Sequence, residues 1–145
     1  MRYQTIWFRD GKAYLPTIGS PPSGMFFELD PVETLEPTPE RIEAAITAAL
    51  QRPTVPLKER SRFDTDWPKQ SVVQLAAGYK SWKSFVERAL RIALVEAPDG
   101  WHVAVGEGAS TQDVEDVKMP ATSTPRELAA RVKEVASQRK IWLED

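Results

Sequence analysis

The 145-residue sequence contains no cysteine. That removes disulfides, thiolate metal sites and a thiol nucleophile together. It has one histidine, His102, so a histidine-based zinc site lacks ligands, and a Ser-His-Asp triad would have to run through this single ring. No segment approaches the roughly 20 apolar residues needed to span a bilayer. At the N-terminus, "MRYQTIWFRDG" places Arg2, Gln4, Arg9 and Asp10 where a secretory signal would need an unbroken apolar stretch. A cytoplasmic protein without membrane contact is expected. A basic excess is also missing: the formal net charge is −2 and the pI near 5.5, which argues against a general nucleic-acid binder.

What remains is an ordinary globular composition, with 41% apolar and 28% charged residues, so neither a disordered nor a fibrous chain is indicated. The length suits a single domain over 1–145, one that buries roughly 70% of the surface of its extended chain. The charges are unevenly placed. Six acids between Glu28 and Glu43 (Glu28, Asp30, Glu33, Glu36, Glu40, Glu43) face Arg41 alone. The stretch from Arg52 to Arg91 is instead predominantly basic.

The stretch "IWFRDGKAYLP" reads as strand, Asp10-Gly11 turn, strand, because aromatic and β-branched residues flank a strong hairpin dipeptide. Met25 to Leu29 is a third short strand. From Ile42 the period changes: Ile42, Ala45, Ile46, Ala49 and Leu50 share one helical face, with Thr38 as N-cap and Pro39 as first helical residue. The C-terminal half repeats this order. "RIALVEAPDGWHVAVGEG" is strand, Asp99-Gly100 turn, strand; "DVEDVKMPA" offers a third strand. Thr124-Pro125 then opens a helix with Glu127 completing a capping box and Leu128, Val132, Val135 and Ala136 facing inward.

The expected class is therefore α+β: an antiparallel sheet with helices packed on one side, built from a β-β-β-α unit at 3–51 and again at 91–139. Duplication and two independent uses of a common motif both fit. Residues 52–90 join the units as a linker and helix. Ser81 caps that helix, with Trp82, Phe85, Val86, Ala89 and Leu90 on its apolar face, and "SVVQLAAG" ahead of it reads as a short helix.

The search for chemistry returns little. His102 shares a strand face with Ala104, opposite Trp101, Val103 and Val105, and reads as a half-exposed structural histidine. Asp64-Thr65-Asp66 begins like a calcium loop but lacks its glycine and terminal glutamate. Asp113, Glu115 and Asp116 read better as solvated acids than as a cation site. Gly106 and Gly108 resemble a phosphate loop only superficially, since Thr111 stands at the third glycine position and no helix follows. Trp7, Trp82 and Trp101 are expected in the core. Trp67 and Trp142, among charges and near the tail, are candidate interface anchors. No catalytic residue, metal or cofactor is expected.

The residues Lys80 to Phe85, Met119-Pro120 and Thr124 to Val132, with support from "IWFRDGKAYLP", resemble the immunity proteins of bacterial contact-dependent growth inhibition systems. The resemblance implies a small cytoplasmic, non-catalytic protein that binds a cognate toxin C-terminal domain, commonly a nuclease, and occludes its active site. Because a nuclease needs a basic surface for its substrate, the acids are the expected contact. The candidate partner-binding residues are Glu28, Asp30, Glu33, Glu36, Trp67, Asp113, Glu115 and Asp116, with the two acidic sets expected to form one continuous surface. Neither nucleic acid nor a small-molecule substrate is the expected partner. The alternative is an enzyme or nucleic-acid-associated accessory protein acting through the basic 58–91 segment, by way of Arg60, Arg62, Lys69 and Lys80. A structural subunit of a larger assembly is a third class.

Overall fold

The computed structural model describes residues 2–59, 70–108 and 114–139. Strands β1 (Tyr3–Arg9) and β2 (Lys12–Ser20) form the first hairpin. Its loop is Asp10-Gly11, with φ of 52° and 71°, the paired positive values that a type I′ turn requires. Strand β3 (Phe27–Leu35) returns along β2 and leads into α1 (Pro39–Gln51), where the Thr38 side chain accepts from the Arg41 N–H as its N-cap. After the two-residue β4 (Val55–Pro56), paired in parallel with the end of β2, come the short helices α2 (Val72–Ala76) and α3 (Trp82–Val86). The second unit is β5 (Leu90–Ala97), β6 (Gly100–Glu107), β7 (Glu115–Met119) and α4 (Pro125–Ser137). Thr124 and Glu127 close the capping box that the sequence promises.

The class is α+β, and the β-β-β-α order occurs twice within one sheet. The strand order is β3-β2-β1-β5-β6-β7, with β4 off this path. The two units therefore meet through their first strands, β1 and β5, antiparallel from Tyr3↔Val95 to Phe8↔Leu90. The third strand of each unit becomes an outer edge.

Alternation along the strands separates two apolar clusters. Ile6, Phe8, Leu15, Ile92, Leu94, Trp101, Val103 and Val105 face α1 and α4, which pack against each other and supply Ile42, Ile46, Leu50, Leu128, Val132 and Val135. The opposite face carries Trp7 and Tyr14, against which Val72 and Val73 of α2, Phe85 of α3 and Ala89 are buried. The two long helices thus occupy one side, as expected, while the connecting segment adds two short helices to the other. Arg9 ties that segment to the first hairpin. Its guanidinium donates to the Phe85 and Ser84 carbonyls at 3.1 and 3.3 Å, pairs with Asp10 and lies 4.7 Å from the centre of the Tyr79 ring.

Four local expectations change. Helix α3 ends at Val86, so Leu90, expected on its apolar face, instead opens β5 and joins the cluster under the long helices. In the second hairpin the loop is Pro98-Asp99 rather than Asp99-Gly100, because Ala97 pairs directly with Gly100 and the fixed φ of proline suits the first central position of a turn. Strand β3 runs on to Leu35 despite Pro31: the ladder skips Asp30 and Pro31, passing from Thr17↔Leu29 to Pro16↔Val32, and an edge strand tolerates a residue that cannot donate. Trp82 is 43% exposed rather than core. Helix α3 is a single turn, and Trp82 is its first residue, at the rim of the cluster that Phe85 fills.

Candidate functional site

On the face opposite the long helices, alternate residues of β1 point into a cleft. Tyr3, Thr5 and Trp7 form its floor; Phe26, Phe27 and Glu28 close one side, and Trp82, Val86, Ala89, Arg91, Gly106 and Gly108 the other. Its volume is about 520 Å³. Its aromatic residues pack on one another: Tyr3 stacks on Phe26 with centroids 4.5 Å apart and planes inclined by 5°, and Trp82 meets Trp7 edge-on at 5.4 Å.

Glu28 crosses from the outer strand to this floor. Its Oε2 accepts from Thr5 Oγ1 at 2.5 Å and from Trp7 Nε1 at 2.6 Å, so one carboxylate oxygen holds two otherwise sheltered donors. Arg91 stands across from it. The register pairs Arg91 directly with Gly106, and a Cβ at that glycine would lie 3.2 Å from Arg91 Nη2. The missing side chain is what lets the guanidinium lie against β6.

The acids expected to form one surface are distributed otherwise. Glu28 is in the cleft. Asp30 and Glu33 are exposed on β3, and Glu36, just beyond it, pairs with Lys12 at 3.1 Å. Glu115 receives Arg139 at 2.8 Å, a guanidinium that Glu107 also holds. Asp116 faces His102. Since β3 and β7 are the two outer strands of the β3-to-β7 path, the two sets stand roughly 24 Å apart, five strand steps of about 4.8 Å. A continuous acidic surface joining them is overturned, because the units join through their first strands. Asp113 and Trp67 lie outside the described residues, as do Trp142 and, in the basic segment, Arg60, Arg62 and Lys69. Lys80 is exposed ahead of α3.

His102 has partners that its strand position did not reveal. Nε2 lies 3.0 Å from Asp99 and Nδ1 3.2 Å from Asp116, while Lys118 pairs with Asp99 at 3.2 Å. Hydrogen bonding to the two carboxylates holds the imidazolium above the usual histidine range. The Asp99 carboxyl is lowered in turn by hydrogen bonds from His102 and Lys118. A raised folded value means that His102 contributes stability fully below its ordinary pKa of 6.5, and that this contribution is lost as pH rises through the folded value. An NMR titration of the ring protons should therefore give a midpoint above 6.5, returning towards it when Asp99 and Asp116 are both changed to Asn. A midpoint unaffected by that double change would refute the assignment. Among the described residues no group of His, Asp and Glu side chains is arranged to hold a metal ion, and no helix is long and apolar enough to cross a membrane.

The cleft residues Tyr3, Thr5, Arg91 and Gly106 were not foreseen. Only the alternation of Tyr3, Thr5 and Trp7 along β1 hinted that they share a face. Comparison with known proteins adds the fold. The sequence matches no protein-family model and no curated protein. A solved structure is similar over nearly its whole length: the Neisseria meningitidis protein NMB0488, described as a protein of unknown function, with a TM-score of 0.62, 13% sequence identity, and coverage of 94% of this chain and 93% of that one. At that identity the likeness is one of fold.

Proposed function

We propose that the protein is a non-catalytic binding module that neutralises a cognate toxin domain, a nuclease in the leading reading, by covering its active site with an acidic edge. The observation that carries the reading is the outer strand β3, which holds Asp30 and Glu33 exposed with Glu36 beside them. Charge and the Pro31 interruption keep such an edge from pairing with another strand, so its acids remain available to a partner of opposite charge. A domain that must hold a phosphate backbone offers that charge. The resemblance of the C-terminal half to immunity proteins points the same way.

The test is calorimetry between this protein and the isolated C-terminal domain of the protein encoded immediately upstream, with that domain's toxicity as a second readout. Nanomolar one-to-one binding that abolishes toxicity is expected. The double change Asp30→Lys and Glu33→Lys should slow association at low salt by about tenfold and flatten its salt dependence, since steering acts on the on-rate. Absence of binding, with a harmless upstream product, would defeat the reading. Unaltered association of the double variant would place the contact elsewhere.

A further inference from the structure

The two outer strands differ in how they would meet another strand. β3 carries Pro31, and its exposed charges, Asp30 and Glu33, have one sign, so a second copy of it is repelled and finds no unbroken ladder. β7 has no proline within Glu115–Met119, and its exposed charges, Asp116 and Lys118, have opposite signs. Among the described residues its ladder runs to β6 alone, which leaves the backbone along its other side to pair. Val117 and Met119 pack against the main cluster yet are only half-buried.

The sequence of this edge selects its occupant. Two antiparallel copies of β7 that extend one sheet are related by a two-fold axis perpendicular to it, and that axis must pass through a residue for the faces to match. An axis at Asp116 sets two carboxylates opposite each other, and one at Lys118 sets two ammonium groups opposite, both unfavourable. An axis at Val117 avoids this: valine meets valine, Glu115 meets Met119, and Asp116 meets Lys118 twice. One residue further out, Val114, which is 51% exposed, comes opposite Pro120. We propose that β7 is a self-association edge, through which two copies of this chain join their sheets about Val117.

The charges stand ready for that pairing. Register and alternation put Asp116 and Lys118 on the face of His102, where Asp116 Oδ1 meets His102 and Lys118 meets Asp99, each at 3.2 Å. A carboxylate has about four acceptor sites and an ammonium group three donors, and both side chains are more than half exposed, so each keeps capacity for its counterpart across the axis. The dimer leaves the acidic β3 edge of both copies free. It therefore goes beyond the toxin-binding reading, and either can fail without the other.

Sedimentation equilibrium of the full chain from about 1 μM to 1 mM should show monomers in equilibrium with dimers. A dissociation constant of about 1–100 μM is expected, because a five-residue edge makes a small interface. Lys118→Glu and Asp116→Lys should each weaken association by at least about tenfold, since like charges then face each other on both sides of the axis. Mixed in equal amounts, the two variants should associate again, because every lysine once more faces an acid; that recovery also shows that both are folded. A parent chain that stays monomeric at about 1 mM would overturn the proposal. So would a variant that dimerises as tightly as the parent, or two variants that stay apart when mixed.

Discussion

Replacing Trp101 with alanine is expected to remove about 3–5 kcal/mol of folding stability, the range for deleting a large aromatic side chain from a packed core. Trp101 is the largest fully buried side chain in the described protein. It belongs to the cluster beneath α1 and α4, beside the turn of the second hairpin, with Arg2 5.0 Å from its ring centre. The loss should appear in urea unfolding as a lower midpoint at unchanged slope. A companion variant separates size from polarity. The Trp101 Nε1 is buried without a hydrogen-bond partner among the described residues, a cost of about 1–3 kcal/mol. Trp101→Phe removes that donor, so it should lose far less than the alanine variant. An alanine cost below about 1 kcal/mol would contradict burial of the ring.

Gly100→Ala should be nearly as damaging, by a different mechanism. Gly100 has φ of 130°, and a Cβ there would lie 2.5 Å from the backbone oxygen of Met119. That oxygen cannot rotate away, because Met119 is fixed by the ladder in which it faces Trp101. The substitution therefore combines backbone strain of about 1–3 kcal/mol with displacement of β7, and a total of about 3 kcal/mol or more is expected. Gly78 is the control. Its φ is 84°, but the space around an added Cβ is open, so Gly78→Ala should carry only the left-handed penalty of about 1–2 kcal/mol. Equal losses at the two positions would show that β7 gives way freely.

Some of this architecture is legible in the sequence because one strong local signal decided each element. Thr38-Pro39 and Thr124-Pro125 start helices at the observed residues, and the inward face expected of α1 is the one buried. The second hairpin was less legible. Asp99-Gly100 repeats the dipeptide of the first turn, yet Pro98 takes the leading turn position and moves the loop back by one residue. Pro31 reads as the end of a strand when the strand's place in the sheet is unknown; at an edge it is tolerated. Trp82 shares a helical period with Phe85, but period does not foretell a helix of one turn.

The cleft depends on facts that no local pattern contains. Glu28 looks like one acid in a run of six until its partners Thr5 and Trp7 are identified more than 20 residues away. Arg91 and Gly106 become neighbours only through the β5–β6 register. The expectation of one acidic surface failed for the same reason: it depended on which strands join the two units, and strand order follows from the packing of both units at once.

That order also governs how the chain emerges from the ribosome. β1 is made before its partner β5, which begins at Leu90, so the edge bearing Ile6 and Phe8 stays unpaired while the long stretch between the two strands is synthesised. An apolar open edge of this kind invites pairing with other nascent chains. Closure by contacts so distant in sequence is slow relative to formation of the local hairpins. The seam between the two halves is therefore where production of the protein is most exposed to chaperone action, and strong overexpression should fail there first, by aggregation through β1.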